Sequence, residues 1–338
     1  MPQSMLGIIN ATHELDTFQN LTAHRSIASL PFAGRYRLID FLLSNMVNSG
    51  ITSVAIFTGH GVRSLMDHLG CGKQWDLDRK RDGLFVFTPD SNFKNEDFGS
   101  FAHLAKNISF FLRSRQKYVV ITNCNIIGTI NFSTILDHHI ETEADITEVV
   151  HNGESLQTFI LEKDLLLGLF EQYKDQGYHS IVDVVNERLD KFKVEKYEYK
   201  EYIAIIDSLE SYYKHSMDML ESAAYKQVFT RDEPIFTKVK DEPPTRYKMG
   251  AKVANSLIAN GCKIEGEVEN CIISRSVKIG KGSVIRNSII MQKTQIEENC
   301  VLDGVIIDKD VRIESGVKLT GNAGTPYVVE KGTVQKGS

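Results

Sequence analysis

The chain has 338 residues, of which 42% are hydrophobic and 25% charged, and its formal net charge is −5 at pH 7. This length suffices for two domains, and the composition is that of an ordinary globular protein rather than a disordered or fibrous one. The acidic balance argues against nucleic acid or an anionic membrane as the partner, and no apolar run reaches the 18 residues that indicate a membrane span.

The N-terminal sequence and the cysteines point to a reducing compartment. The first residues, MPQSMLGIINATHEL, lack the basic start and long apolar run of a secretory signal. The cysteines are odd in number and form no C-x-x-C pair. They are Cys71, Cys124, Cys262, Cys271 and Cys300. We therefore expect reduced thiols in a cytoplasmic protein, with neither disulfides nor a zinc site.

Residues 1–229 alternate strand-like apolar runs with segments of helical periodicity. The strand candidates are residues 6–10, 53–59, 84–89, 118–124 and 145–150. The helix candidates are residues 37–50, 135–144 and 164–177. Strands that alternate with helices predict an α/β domain with a mostly parallel sheet covered on both faces.

Residues 230–250 are predicted to be a linker. The stretch TRDEPIFTKVKDEPPTRY (230–247) holds three of the seven prolines and shows no periodic core pattern. The pair Pro243-Pro244 excludes helix and favours extended chain.

Residues 251–338 show a different period, with an aliphatic residue at every sixth position. The first register comprises Ile273, Ile279, Ile285, Met291, Val301, Ile307, Ile313 and Leu319, and a second one Val305, Val311 and Val317. A six-residue period makes each hexad one side of a triangular coil whose aliphatic residue points inward. We therefore predict a parallel β-helix, since a meander of antiparallel hairpins would have a period of two.

The most specific motif of the N-terminal half is residues 31–45, PFAGRYRLIDFLLSN. It resembles the PFGGKYRLIDFPLSN signature of bacterial ADP-glucose pyrophosphorylases (glucose-1-phosphate adenylyltransferases). Residues 74–89, 196–220 and 234–247 and the hexads are also similar to segments of that family, so the resemblance covers most of the chain. It implies a Rossmann-like nucleotidyltransferase domain followed by a left-handed parallel β-helix.

The resemblance breaks at the phosphate loop. The family has A-G-G-x-G-x-R-L and then R-A-K-P, and its loop glycines align with Thr12, His13 and Leu15. Its loop arginine aligns with Thr17 and its lysine with Ile27. Glycines let backbone N–H groups approach a triphosphate, and cations stabilise a phosphoryl transition state. We therefore expect these five positions to be degenerate.

The resemblance also places the family's metal ligands on residues that bind metal poorly. The two aspartates align with Asn125 and Ile205. Because Mg²⁺, the metal of the active family, prefers charged oxygen ligands, we expect no metal site and no retained cofactor. Asp207 is not expected to substitute, because strand residues two apart lie about 7 Å from each other.

Parts of the substrate sites align less clearly. The nucleotide-contacting G-T-A of the family aligns with Gly99, Ser100 and Phe101, so we expect a nucleotide-binding remnant at Gly99 and Ser100, with bulk added by Phe101. The sugar-binding E-K-P is not found, and residues 145–160 are shorter than the family's segment. This shortening reflects either a lost sugar-pocket segment or an omitted one.

Two isolated groups of reactive residues do not predict a site. Adjacent helix residues point about 100° apart, so His138, His139 and Glu141 are expected to form a solvated helix face rather than a metal site. Cys124 lacks a third group to orient it as a nucleophile.

This chain keeps the motif of residues 31–45 but lacks the family's phosphate-loop and metal-binding residues. In this respect it resembles the GlgD-type, non-catalytic subunits of the family. The resemblance implies bacterial glycogen synthesis, little or no activity alone, and assembly into a homo-tetramer or a hetero-tetramer with a catalytic paralogue whose activity it modulates. An active sugar-phosphate nucleotidyltransferase with an altered loop is the alternative. A hexapeptide acyltransferase is disfavoured, because such enzymes use a histidine of the coil and the last histidine here is His215.

Overall fold

The computed structural model describes residues 4–12, 16–59, 61–89, 100–176, 179–187, 191–322 and 324–336. The strands of its N-terminal region are β1 (Met5–Ala11), β2 (Pro31–Phe32), β3 (Tyr36–Arg37), β4 (Ser53–Thr58), β5 (Gly83–Phe87), β6 (Tyr118–Asn123), β7 (Ile126–Gly128), β8 (Ile146–His151), β9 (Glu154–Glu162), β10 (Val194–Glu198) and β11 (Ile203–Ile205). They form a seven-stranded sheet in the order β10-β8-β9-β6-β1-β4-β5, with β7 paired to β11 and β2 to β3.

Helices cover both faces of this sheet. They are α1 (Leu38–Asn48), α2 (Arg63–Leu69), α3 (Phe101–Ala105), α4 (Ile108–Arg113), α5 (Phe132–Glu141), α6 (Lys163–Gln176), α7 (Ile181–Glu187), α8 (Leu209–Asp218) and α9 (Ser222–Val228). Short 3-10 turns lie at Asp16–Leu21, Ile27–Ser29 and Lys73–Trp75. Among the residues described, no helix has the length and apolar character required to cross a bilayer.

The predicted α/β architecture is confirmed. β1 pairs in parallel with β4 and β6, β4 with β5, and β8 with β10, whereas β9 runs antiparallel to both β6 and β8. All five strand candidates and all three helix candidates correspond to elements at those places. The sequence reading missed β9. It is reached from β8 by a tight turn at Asn152 and Gly153, both at positive φ, so residues 145–160 form a compact hairpin.

Side chains on the two faces of the sheet form two separate hydrophobic cores. Ile9 and Ala11 of β1 join α1 and α8 on one face, whereas Leu6 and Ile8 join α3, α6 and α7 on the other. Because side chains alternate across a strand, the carboxyl edge of the sheet lies between two packed layers.

The C-terminal region is a parallel β-helix, as predicted. Its strands are β12 (Arg246–Tyr247), β13 (Lys252–Ala254), β14 (Leu257–Ile258), β15 (Lys263–Ile264), β16 (Glu267–Glu269), β17 (Ile272–Ile273), β18 (Lys278–Ile279), β19 (Val284–Arg286), β20 (Ile289–Ile290), β21 (Gln295–Ile296), β22 (Val301–Asp303), β23 (Val305–Ile307), β24 (Arg312–Ile313), β25 (Lys318–Thr320), β26 (Tyr327–Val329) and β27 (Val334–Gln335). They form three parallel sheets, β12-β15-β18-β21-β24-β27, β13-β16-β19-β22-β25 and β14-β17-β20-β23-β26, one for each side of the triangle.

The strict six-residue register is wrong at two positions. Most successive coils are 17 residues apart, as in the pairing of Ile289 with Ile306, so one side of each of those triangles is a residue shorter than a hexad. An early coil is shorter still, since Ile264 pairs with Ile279. Ile290 therefore occupies the interior position predicted for Met291, which faces the N-terminal region instead. After the same slip, Leu302 is buried and Val301 is 37% exposed.

The two regions pack against each other. Ile272, Ile289 and Ile306 point outward from one side of the triangle and belong to the same apolar cluster as α1 and α8. The Tyr213 hydroxyl of α8 donates to the carbonyl oxygen of Asn287 at 2.5 Å. These contacts fix the β-helix along one side of the N-terminal region.

The segment predicted as a linker lies along α1. The backbone N–H of Phe236 donates to the Ser44 hydroxyl at 2.8 Å, and the Asn48 amide donates to the Pro234 carbonyl at 3.2 Å. The division into residues 1–229, 230–250 and 251–338 stays a prediction, and the first coil strand, β12, lies inside the linker segment.

Candidate functional site

Three amide side chains meet at the carboxyl edge of the central sheet. Asn10 of β1 and Asn123 of β6 are register partners, and the Asn10 amide donates to Asn123 Oδ1 at 3.1 Å. The Asn123 amide donates in turn to Gln157 Oε1 of β9 at 2.6 Å. Binding sites of parallel sheets form outside this edge. Here the groups that line it are neutral hydrogen-bonding amides rather than carboxylates.

Beside these amides lies a cleft of about 240 Å³. Its apolar wall comprises Ile8, Phe57, Ile121 and Phe159. Ser100, at the start of α3, lines the cleft, while Gly99 lies outside the described residues. Phe101 was expected to add bulk to the site, but the residue is 1% exposed and packs into the core against Phe170. An apolar wall with a few amides suits a flat heterocycle better than a phosphate.

The phosphate-loop positions begin at the end of β1. Thr12 is buried, and both its hydroxyl and its backbone N–H donate to Asn10 Oδ1, at 2.6 and 3.2 Å. The N–H that the family directs toward phosphate is thus engaged by a side chain of this chain. The predicted degenerate residues His13 and Leu15 lie outside the described residues.

Asn125, which aligns with the first metal aspartate, lies between β6 and β7. Its side chain is buried, and its Nδ2 donates to the carbonyl oxygen of Ile206 at 3.2 Å. The Ile206 N–H donates back to the Asn125 carbonyl at 2.8 Å. The described ranges contain no group of three or more His, Cys, Asp or Glu side chains arranged to hold a metal ion. The amide oxygen of Asn125 is a neutral donor, which fits Mg²⁺ less well than the carboxylate that the family resemblance places here.

The second metal position gives the same result by another route. Ile205 pairs with Ile126 in the β7–β11 ladder and packs against the apolar core. β11 ends at Ile205, so the assumption that Asp207 shares that strand is wrong. Asp207 is exposed just before α8, and its carbonyl oxygen accepts the Thr17 hydroxyl at 2.7 Å. Thr17, in place of the loop arginine, thus makes a contact within the fold.

The position of the family's lysine has become part of the core. Ile27 is 1% exposed within the 3-10 turn that precedes β2. Arg25, two residues earlier, keeps the family's residue type but points to the β-helix. Its Nη2 donates to both carboxylate oxygens of Asp308, at 2.7 and 2.8 Å, and both side chains are 1% exposed. Arg25 is therefore used between the two regions.

A group of cations that the sequence reading missed surrounds this contact. Burial lowers the pKa of Arg37 to about 10; Asp40 opposes this lowering, and Arg25 and Arg275 add to it. Burial also lowers the pKa of Lys309 to about 8, helped by repulsion from Arg25 and Arg37. These residues come from segments more than 200 positions apart, so no local pattern could reveal them. Concentrated positive charge of this kind attracts anions.

The isolated reactive residues are used in packing. Burial raises the pKa of the Cys124 thiol to about 12, which keeps it protonated and unreactive. His139 was expected in a solvated face, but it is buried with its Nδ1 2.9 Å from the Thr147 hydroxyl. The ring of His138 lies against Tyr197.

Comparisons with known proteins agree with this organisation. A family profile described as nucleotidyl transferase matches residues 17–157, and one described as GlmU-like C-terminal hexapeptide matches residues 243–325. The glycogen biosynthesis protein GlgD of Bacillus subtilis is 50% identical over 98% of this chain and 97% of its own length. The protein of that name from Geobacillus stearothermophilus is 56% identical over 99% and 98%. The glucose-1-phosphate adenylyltransferase of Bacillus cereus is 27% identical over 88% and 89%.

Proposed function

This chain belongs to the GlgD branch of the ADP-glucose pyrophosphorylase family, and from that premise we propose that it serves glycogen biosynthesis as a subunit with little or no catalytic activity. The reaction of the assembly would be the conversion of ATP and glucose 1-phosphate to ADP-glucose and diphosphate. In this proposal the chain associates with a catalytic relative and modulates its activity.

The observation that carries the proposal is the chemistry at Asn125 and Ile205. The Asn125 amide offers one neutral oxygen, and its nitrogen donates a hydrogen bond to the carbonyl oxygen of Ile206. Ile205 offers no ligand atom at all. A metal at this place would have to neutralise charge that develops on the transferring phosphoryl group. Without carboxylates to hold it, that stabilisation of several kcal/mol is lost.

The cations expected at the phosphates are missing as well. Thr17 and Ile27 carry no charge, and their side chains are engaged with Asp207 and the core. Arg25 is paired with Asp308, and this pair lies beside the apolar cluster that contains α1 and α8. The apolar wall of the amide cleft belongs to the cluster on the other face of the sheet. Metal and cation functions are thus impaired together, and residues that act as a unit are strongly non-additive.

Modulation of a partner requires that this chain bind the partner's active and inactive states with different affinity. The shared core and the buried Arg25–Asp308 pair join the β-helix to the N-terminal region, and in this proposal a contact at either region affects the other through them. Allosteric coupling is typically about 1–3 kcal/mol, or roughly 5–150-fold in affinity.

The test is a turnover assay with ATP, glucose 1-phosphate and Mg²⁺, on this chain purified free of any catalytic relative and then on a saturated mixture. We expect no ADP-glucose from the chain alone and a shifted maximal rate or effector midpoint in the mixture. Light scattering should show an oligomer, a tetramer by the family resemblance, in both samples. A rate near the ~10 s⁻¹ typical of enzymes for the chain alone, or unchanged kinetics in the mixture, would refute the proposal.

A second function, nucleotide binding without turnover, is favoured by the cleft at Asn10 and Ser100. Its apolar wall and amides remain although the metal and phosphate positions are changed. We propose that an adenine base still enters it. Calorimetric titration with ATP in the presence of EDTA should show binding that Ser100→Trp abolishes, with the Leu112→Trp variant, altered at an exposed residue of α4, as the control.

We also propose that the protein is cytoplasmic. Its support is the set of cysteines, all of them free and four of them buried. Free thiols persist in a reducing compartment.

A further inference from the structure

A cavity of about 300 Å³ lies at the amino edge of the central sheet, and none of the described residues that line it belongs to the amide cleft at the carboxyl edge. Its apolar wall comprises Ile51, which precedes β4, Trp75 and Leu77, which precede β5, and Phe236 of the linker segment. A water molecule takes up about 30 Å³ in the liquid, so this volume accommodates a ligand of about ten non-hydrogen atoms. We call it the tryptophan cavity.

The Trp75 side chain brings an unsatisfied donor to this wall. The residue is 1% exposed, and its indole Nε1 is buried without a hydrogen-bond partner among the described residues. Buried indole N–H groups normally have an acceptor, because a buried polar group without one is unfavourable. The turn that carries the ring lies between two left-handed residues, since φ is 80° at Gly72 and 52° at Asp76. A ligand that brings an acceptor oxygen to this ring would satisfy the donor.

The charged side chains at the cavity leave one cation uncompensated. Arg79 and Asp76 pair with each other, since Arg79 Nε donates to the Asp76 carbonyl oxygen at 2.6 Å and Nη2 donates to its carboxylate. Lys73 also lines the cavity, is exposed, and has no ion pair in the described part of the chain. A phosphate monoester carries about two negative charges and usually meets several cations or backbone N–H groups. One ammonium is instead matched by the single charge of a carboxylate.

We propose that the tryptophan cavity binds a small carboxylate whose apolar body is about the size of a phenyl ring. The body packs against the apolar wall, and the carboxylate accepts from the Lys73 ammonium and the Trp75 indole N–H. Because the indole nitrogen is buried, the ring has to turn slightly to donate to the ligand. The site is separate from the nucleotide cleft, so the inference goes beyond the proposed function and does not depend on catalytic activity or on a partner chain.

The experiment uses the fluorescence of Trp75, which is the only tryptophan of the chain. The full-length protein is titrated with 3-phenylpropionate and, separately, with the uncharged 3-phenylpropionamide. We expect a saturable change in emission with a dissociation constant of about 1 mM or tighter for the carboxylate, a value ordinary for a ligand of this size. The amide should bind about fivefold more weakly or worse. The thermal unfolding midpoint should rise with the carboxylate, because a ligand of the folded chain stabilises it.

Two variants and a matched control locate the binding. Val47→Phe, at a half-buried residue of α1 that lines the cavity, should fill it and abolish binding. Lys73→Gln should weaken the carboxylate about fivefold and leave the amide unchanged, since an exposed ion pair contributes up to about that factor. Lys80→Gln makes the same change of charge at an exposed residue that does not line the cavity, and should alter neither constant. Circular dichroism checks that each variant folds, and if Val47→Phe does not, the two lysine variants still decide.

Three results would overturn the inference. One is the absence of a saturable change in emission and in the unfolding midpoint at about twenty times the expected constant. Equal binding of the carboxylate and the amide is the second, and carboxylate binding that Lys73→Gln leaves unchanged is the third. Each of them leaves the proposed function standing, because that function is tested by turnover and by mixing with a catalytic relative.

Discussion

Removal of the Asp308 carboxylate should cost more stability than any exposed ion pair in the chain. Both of its oxygens accept from Arg25 Nη2, at 2.7 and 2.8 Å, and one also accepts the Lys309 N–H at 2.7 Å. Asp308→Asn keeps the shape but leaves the Arg25 guanidinium buried beside other cations. Loss of one partner of a buried pair costs about 3–5 kcal/mol, a large part of the roughly 5–15 kcal/mol that stabilises a typical domain.

The measurement is urea unfolding followed by circular dichroism, on Asp308→Asn and on the double variant Arg25→Met, Asp308→Leu. The double variant should recover most of the loss, because apolar residues of similar volume often replace a buried pair at no net cost. The comparison pair is Arg286–Glu269, whose side chains are 48% and 54% exposed. Its removal should cost less than about 1 kcal/mol. A loss below about 1 kcal/mol for Asp308→Asn, or additive effects of the two single changes, would refute the reasoning.

Three further predictions concern the degenerate positions and the cation cluster. Asn125→Asp alone should give no ADP-glucose in a diphosphate-release assay, because Ile205 still supplies no ligand; synthesis by that single variant would contradict the assignment. Ile27→Lys should lower the free energy of unfolding by about 3 kcal/mol by burying a charge, whereas the Ile27→Leu control should change it by less than about 1.5 kcal/mol. Lys309→Gln should stabilise the fold by about 1 kcal/mol at pH 7, a figure reduced for solvent screening. The pKa of Lys309 is about 8 in the fold against 10.5 for free lysine, so the unfolded chain binds more protons between those values. The unaltered protein therefore gains stability as the pH rises from about 8 to 10.5. The stability advantage of Lys309→Gln over the unaltered protein should vanish at the upper end of this range. An advantage that grows with pH would contradict this prediction.

The sequence predicted those parts of the fold that repeat or alternate along the chain. Buried strands such as β1 and β6 and the hexads produce periodic apolar patterns, and these give the sheet and the coil. The errors at Met291 and Val301 arose because a coil of 17 residues has one side of five residues, which a strict period of six cannot express. β9 was missed because its first half is mostly exposed and lacks the continuous apolar run of the parallel strands.

The candidate site was predictable only where aligned positions carry the chemistry. Asn125, Ile205 and Ile27 follow from a resemblance read residue by residue. The amide cluster and the contact of Arg25 with Asp308, which are 283 positions apart, depend on tertiary packing that no local pattern contains. For Asp207 the sequence-based argument was at fault. It used the strand spacing between positions 205 and 207, but β11 ends at Ile205.

The residues that the family resemblance aligns with reactive groups make contacts within the fold. Thr12 bonds to Asn10, Thr17 to the backbone of Asp207, and Asn125 to the backbone of Ile206, while Ile27 fills the core. Restoring the family's residue at any of these places would remove a contact or bury a charge before it could assist catalysis. If the proposed lack of activity holds, we expect each restoring substitution to reduce stability and no single one to bring activity. These contacts are consistent with the proposal that the chain acts through association with other chains.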